Sequence, residues 1–312
     1  MRLPEPFQNS LILTGPTASG KSSLALELAE SLHAEIVAMD SMTIYKAMDI
    51  GTAKPGLSDR QRVPHHLIDI LEPWESGNVA WWLQLAECAV RDIESRGKKV
   101  LFVGGTPFYL KALLQGLFAA PTIVPEIRQR LETEAAEQGS LPLHQRLRQI
   151  DTVAAARIHP NDTRRVVRAL EVWHSTGMTL TEWQQQEWWD NKEDQKEPDT
   201  ETFCAILDIP RPILYERIDR RVLQMFENGW IDEVKNIMRL PKPWSKEASR
   251  ALGYQEIIQY LGGIRSLEET IALVQLRTRQ FAKRQMTWFR SLPGTRIQQA
   301  KLTFSLWREK IT

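Results

Sequence analysis

Residues Gly15, Pro16, Thr17, Ala18, Ser19, Gly20, Lys21 and Ser22 read GPTASGKS, directly after the apolar run Leu11-Ile12-Leu13 and directly before a helical pattern that ends at Leu32. No other feature constrains the fold as much. A strand, a glycine-rich loop and a helix in that order build a phosphate-binding site. Successive backbone N–H groups and the helix N-terminus form a concave anion cradle, with Lys21 as a mobile cation and Ser22 as a metal or phosphate ligand. The loop predicts bound phosphate. It does not say which phosphate compound binds, or whether a phosphoryl group moves.

The alternation continues. Leu11 to Leu13 reads as a strand, Lys21 to Leu32 as a helix and Glu35 to Met39 as a second strand. Ala80 to Ser95 reads as a helix, Lys99 to Val103 as a buried strand, and Thr106 to Gln115 as a helix stopped by Gly116. Short apolar strands alternating with helices predict an α/β fold, a P-loop NTPase-like parallel sheet with helices on both faces. Ligands of such sheets bind outside the carboxyl ends of the strands. Gly15, Asp40 and the Gly104-Gly105-Thr106 turn all fall there.

After Pro121 the strands stop. Glu126 to Gln138, Leu143 to Ile150, Thr152 to Arg157, Thr163 to His174 and Thr181 to Trp189 all read as helices, followed by a polar linker from Asp190 to Thr202. Another strand, Phe203 to Ile209, and more helices follow. The expected organisation is a core of residues 1–121 and 203–312 interrupted by an all-helical insert, 122–202.

No apolar run approaches the roughly 20 residues of a bilayer span, and MRLPEPFQNS lacks the apolar core of a signal peptide. Cys88 and Cys204 have neither metal-ligand spacing nor a disulfide framework. A cytoplasmic protein without a membrane partner is expected. The net charge is only +1, but its distribution is uneven. From Thr270 to Arg308 there is no acidic residue, while Arg277, Arg279, Lys283, Arg284, Arg290, Arg296, Lys301 and Arg308 are basic. Such a stretch suits a polyanionic partner, and also suits an ordinary solvated face.

Several residues are placed to do chemistry. Asp40, at the end of the second strand, suits a general base or an Mg²⁺ ligand, and equally a helix N-cap. Lys54, in Gly51 to Pro55, offers a second phosphate contact. Val103 is followed by two glycines and Thr106, where many P-loop hydrolases carry an aspartate that helps to hold Mg²⁺. That weakens the case for ATP hydrolysis, although the loop itself is of the ATP-binding type. The glycines permit close approach to the backbone, and Thr106 suits either a helix cap or a ligand contact. Arg164, Arg165 and Arg168 open a helix against its dipole, a cost most readily accepted where an anion docks. In the helix VQLRTRQFAKRQMTWFR, a turn of 100° per residue puts Val274, Phe281 and Trp288 in the core. Arg277 and Arg284 then lie beside that apolar face, partly buried and in need of an anion, either a pyrophosphate or an internal carboxylate. His65-His66 makes a poor metal pair, because adjacent side chains of an extended chain point apart.

Taken together, GPTASGKS, DSMTIYKAMDIGTAKP, HHLIDI, VGGTPFYLKALLQGL, RIHPNDTRRVVRALEVWHSTG, RPILYERID, RALGY and RQFAKRQMTWFR closely resemble, in that order, the tRNA dimethylallyltransferases, also called isopentenylpyrophosphate transferases. The linker Asp190 to Thr202 matches no pattern, and the zinc-finger extension of eukaryotic members does not follow, so the resemblance is to the bacterial type.

The resemblance implies transfer of a five-carbon isoprenoid from dimethylallyl diphosphate to N6 of the adenosine 3′ of the anticodon, with Mg²⁺ as cofactor. The loop then holds a leaving diphosphate, with Ser22 at the metal. Asp40 matches the general base. Arg217, in YERID, matches an arginine near the diphosphate, where Arg277 and Arg284 are also expected. Contacts to the anticodon stem-loop of tRNA are implied for Asp40, Ser41, Met42, Thr43, Thr106 and Arg128. They are implied too for Arg164, Arg165, Val166, Val167 and Arg168, and for Arg250, Ala251, Leu252, Gly253, Tyr254 and Gln255. The helical insert is expected to grip RNA and the protein to act as a monomer. Two alternatives make other demands: a P-loop small-molecule or nucleoside kinase would consume nucleotide without tRNA, and a non-catalytic RNA-binding protein would release no diphosphate.

Overall fold

A computed structural model describes residues 3–117, 124–190, 204–298 and 307. Its chain divides into two compact units, Met1–Gly116 with Pro198–Thr312, and Leu117–Glu197.

The first unit is built on a six-stranded sheet in which every neighbouring pair is parallel. The strands are β1 (Leu11–Thr14), β2 (Ala34–Ala38), β3 (His65–His66), β4 (Lys99–Gly104), β5 (Cys204–Leu207) and β6 (Thr295–Ile297), ordered β3-β2-β4-β1-β5-β6. The sequence signals β1, β2, β4 and β5; β3 and β6 are too short and too polar to announce themselves.

Side chains alternate across the strands, and the two faces have separate cores. Ile12, Val37, Phe102 and Ile206 pack on one side with α3 (Val79–Ser95), α4 (Pro107–Gln115), α10 (Arg211–Glu227), α11 (Trp230–Met238), α12 (Tyr254–Leu261) and α13 (Leu267–Arg290). Leu13, Ile36, Leu101 and Ala205 pack on the other with α1 (Lys21–Leu32). A short helix α2 (Leu57–Arg62) precedes β3. Registers such as Thr14↔Gly104 and Ala38↔Val103 align the carboxyl ends of β1, β2 and β4. That alignment brings Gly15, Asp40 and Thr106 to the carboxyl end of the sheet.

The second unit holds α5 (Pro125–Gln138), α6 (Ser140–Ile150), α7 (Thr152–Arg157), α8 (Thr163–Thr176) and α9 (Leu180–Asp190). It has a core of its own, including Leu131, Leu143, Leu147, Val166 and Leu170. Asp162 caps α8, its side chain accepting from Arg165 N–H at 3.2 Å. Most of the linker expected over 190–202, and Lys301 and Arg308 of the basic stretch, lie outside the described residues.

The sequence-based face of α13 is corrected. Its buried stripe is Thr270, Val274, Ala282, Gln285, Met286 and Phe289, whereas Phe281 and Trp288 are exposed. Counting the two large aromatics as core rotated the face, because the residues turned inward are partly small or polar. Arg277 and Arg284 are consequently exposed rather than wedged beside the core. Arg277 finds the internal carboxylate of Glu256, so the burial argument for an anion at these two positions falls away.

Candidate active site

The phosphate loop takes its shape from residues with left-handed backbones. Gly20 stands at φ +92° before α1, and Ala18 at φ +61°. Gly15 is needed for a further reason, since a Cβ there would lie 2.9 Å from Leu207 O on β5. No side chain caps α1, so its first-turn N–H groups remain for an anion.

Lys21 folds back over the loop. Its ammonium donates to Gly15 O at 2.8 Å and Pro16 O at 2.7 Å. Burial and the neighbouring Arg221 lower its pKa to about 7, against the opposing pull of Asp40. Ser22 is exposed in the first turn of α1. From α10, the exposed Arg217 donates to Ser19 O at 3.5 Å. One turn further on, Arg221 reaches Thr17 Oγ1 at 3.4 Å. Burial pulls the guanidinium's pKa down, partly countered by Asp40. Among the described residues no carboxylate pairs with Arg221. It also lines a cavity of about 550 Å³ together with Asp49, Lys54, Arg60, Asp69 and Gln224.

Asp40 is half-buried at the end of β2. Its Oδ1 accepts from Met42 N–H at 2.8 Å, so it does hold the following turn. Burial pushes its carboxyl above the usual carboxylate range, while the Met42 N–H, Lys21, the Thr43 N–H and Arg221 pull the other way. Thr106 precedes α4 without capping it. Its hydroxyl instead accepts from Ser41 N–H at 3.1 Å, tying the β2 and β4 ends together. The two glycines before it serve the protein's own packing: a Cβ on Gly104 would lie 1.8 Å from Met39 O. Thr43 is buried, and Ser41 and Met42 are half-buried.

The other expected contacts are spread out. Lys54 is spent internally, buried and donating to Asp49 at 2.5 Å, Asp69 at 2.6 Å and Tyr45 O at 2.6 Å. It is therefore a structural cation. His65 and His66 bond to Val63 O and Glu35 through one ring nitrogen each, at 2.7 Å. Arg250 and Gln255 are exposed, Leu252 is half-buried, and Ala251, Gly253 and Tyr254 are buried. In the insert unit Arg164 and Arg165 are exposed, but Val166 and Val167 belong to its core. Arg168 donates to the buried Glu171 at 2.7 Å, and Arg128 lies 3.7 Å from the same carboxylate.

Two residues of the site escaped sequence reasoning. Arg221 was findable, because it follows Arg217 by four positions and so shares its helix face. Gln285 was not. It is a buried polar residue of α13 that accepts from Thr17 N–H of the loop and donates to Gly105 O, and no local pattern marks it.

The IPP transferase family matches residues 43–292. The chain belongs to this family. Curated IPP transferase relatives include the tRNA dimethylallyltransferases of Geobacter metallireducens and Geobacter sulfurreducens. The first is 47% identical over 90% of this chain and 89% of its own length. The second is 44% identical over 91% and 89%. Among solved structures, the full-length tRNA isopentenylpyrophosphate transferase of Bacillus halodurans has a TM-score of 0.64 and 37% identity, covering 93% of this chain and 90% of its own. A eukaryotic dimethylallyltransferase captured acting on tRNA has a TM-score of 0.73 at 28% identity, covering 90% of this chain and 69% of its own.

Proposed function

We propose that this IPP transferase moves a dimethylallyl group from dimethylallyl diphosphate to N6 of the adenosine 3′ of the anticodon in tRNA. The observation that carries this reading is the convergence of Lys21 and Arg221 on the phosphate loop, the first bonded to Gly15 O and Pro16 O and the second to Thr17 Oγ1, with the Asp40 carboxylate close enough to act electrostatically on both. Two half-buried cations on one loop call for an anion of more than one charge, and a diphosphate supplies it.

The adenine amino nitrogen attacks C1 of the dimethylallyl group, and the bond from C1 to the diphosphate oxygen breaks. The amine proton passes to Asp40, whose raised pKa suits a base working near neutrality. Lys21, Arg221, Arg217 and the loop N–H groups take up the charge that grows on the departing diphosphate. An exocyclic amine is a poor nucleophile, so orientation must supply much of the rate. The target base leaves its stack to reach such a site.

Mg²⁺ fits this arrangement modestly. Among the described residues no group of three acidic, histidine or cysteine side chains forms a metal site, so Ser22 would hold the ion together with diphosphate oxygens, the usual habit of Mg²⁺. The ion would neutralise part of the diphosphate charge. Arg128, Arg164, Arg165, Arg168 and Arg250 are the proposed backbone contacts to the anticodon stem-loop. No helix among the described residues is long and apolar enough to cross a membrane, and we place the reaction in the cytoplasm, with the protein as a monomer.

The test is mass spectrometry of tRNA nucleosides after incubation with the purified protein, dimethylallyl diphosphate and Mg²⁺. A mass gain of one dimethylallyl group on adenosine, with release of diphosphate, is expected. ATP consumption that does not depend on tRNA would favour a kinase.

A further inference from the structure

Gln285 ties the phosphate loop to the end of β4. Its side chain, only 3% exposed, projects from α13. Oε1 accepts from Thr17 N–H at 2.9 Å, and Nε2 donates to Gly105 O at 2.5 Å. Together the two bonds fix the amide's orientation, since exchanging oxygen and nitrogen would set donor against donor and acceptor against acceptor. A Cβ on Gly105 would lie 2.9 Å from Gln285 Nε2, 3.4 Å from Gly15 O and 3.6 Å from Lys21 Nζ. The amide, the loop and its cation therefore crowd one small volume.

A buried amide is costly unless both of its ends are satisfied. At an inward position of α13, next to Met286 and one turn from Phe289, an aliphatic side chain would fill the space without that cost. What distinguishes glutamine is that it joins a loop N–H to a strand-end carbonyl. The carbonyl belongs to Gly105, directly before Thr106, whose hydroxyl bonds Ser41 beside Asp40.

We propose that Gln285 is a positioning residue for the transfer reaction: it sets the spacing between the loop that holds the diphosphate and the Gly105-Thr106 turn that supports the Asp40 segment. The proposal rests on the reading of the loop as a dimethylallyl diphosphate site. Gln285 uses its polar atoms on the protein and acts through Thr17 and Gly105.

Q285M keeps the length of the side chain and removes both bonds. It should raise the KM for dimethylallyl diphosphate roughly tenfold, as expected for the loss of one or two buried hydrogen bonds, and weaken binding of inorganic diphosphate by a similar factor. The KM for tRNA should stay within about twofold, since no surface residue changes. Q285E separates positioning from packing. Its carboxylate can accept from Thr17 N–H but cannot donate to Gly105 O; once protonated, it can do both. The ratio of its donor KM to that of the wild type should therefore fall toward one as pH is lowered. Taking the ratio at each pH removes the titrations that the two proteins share. A folded Q285M with wild-type donor KM and diphosphate affinity would overturn the proposal. So would a Q285E ratio that stays flat with pH, an outcome that remains readable if Q285M fails to fold. Failure of the wild type itself to bind inorganic diphosphate would overturn the donor-site reading as well, and that control comes first.

Discussion

Lys21 and Pro16 are joined by a 2.7 Å hydrogen bond from the ammonium to the backbone carbonyl. With its partner bond to Gly15 O, it folds the cation of the loop onto the loop. The pKa of about 7 in the free protein has a consequence for ligand binding. A diphosphate favours the charged amine and raises its pKa, so the complex holds more proton than the free protein above pH 7. Affinity should therefore fall by up to about tenfold per pH unit above 7, and lose this dependence below it. Titration calorimetry at pH 8 in buffers of different ionisation enthalpy should show net proton uptake, which Lys21→Met abolishes.

Asp40 titrates in the opposite sense for turnover. It must be ionised to accept the amine proton, and its pKa is raised by burial. The rate under saturating substrates should fall as pH drops through that raised value, at a higher pH than an exposed carboxylate would allow. Asp40→Asn keeps an acceptor for Met42 N–H and should still lower single-turnover rates by about 10² to 10⁴, with tRNA affinity nearly unchanged. Asp40→Ala should lose the same rate. Full activity in Asp40→Asn would leave the residue with only its turn-holding bond.

How much of this was legible in the sequence depends on the range of the interaction. The phosphate loop and β1, β2 and β4 are local patterns, and the sequence places each within a residue or so. The bond from Ser41 N–H to Thr106 links residues 65 positions apart, and that from Thr17 N–H to Gln285 spans 268. Nothing in a linear pattern fixes such pairs. Strand β6 contains Arg296 and follows a glycine, and it pairs only because β5 offers its edge. The buried face of α13 does not follow its large aromatics, because alanine, threonine and glutamine fill the close helix contact in their place. Lys54 likewise reads as a free cation until Asp49 and Asp69, the latter 15 residues away, are seen to claim it.

Gly51 permits a close contact with Trp230. A Cβ at Gly51 would lie 2.2 Å from Trp230 Nε1 and 2.6 Å from the Tyr254 ring. The same segment is held by Glu233, which accepts from Asp49 N–H at 2.8 Å, Ile50 N–H at 2.6 Å and Tyr254 O–H at 2.7 Å. Gly51→Ala must push against a buried indole and should cost about 1–3 kcal/mol by overpacking. Urea denaturation should show a lower midpoint, whereas Gly56→Ala, with only the Ser58 hydroxyl 3.9 Å away, should change it little.

Arg168 and Glu171 should separate a structural from an RNA-binding role in the insert. Arg168→Ala removes the 2.7 Å partner of a fully buried carboxylate, so it should lower stability by about 1–3 kcal/mol as well as weakening tRNA binding. Adding Glu171→Leu should recover most of the stability, because the stranded charge is gone. It should not recover binding. Arg164→Ala, at an exposed position, should weaken tRNA binding and shallow its salt dependence with no loss of stability. Recovery of tRNA affinity in the double variant would mean that Arg168 serves only to neutralise Glu171.

The insert unit should be separable from the donor site. Its buried side chains, from Leu131 to Leu170, form a cluster distinct from the two that sandwich the sheet, and every residue placed around the phosphate loop lies in the other unit. Replacing residues 117–197 by a short Gly/Ser bridge should therefore leave a folded α/β core. Calorimetry should find inorganic diphosphate bound with close to wild-type affinity and most of the tRNA affinity lost, since Arg128, Arg164, Arg165 and Arg168 leave with the insert. Loss of diphosphate binding in a core that still unfolds cooperatively would mean that the insert supports the donor site. Retention of full tRNA affinity would shift RNA recognition to α13 and the Arg250 segment.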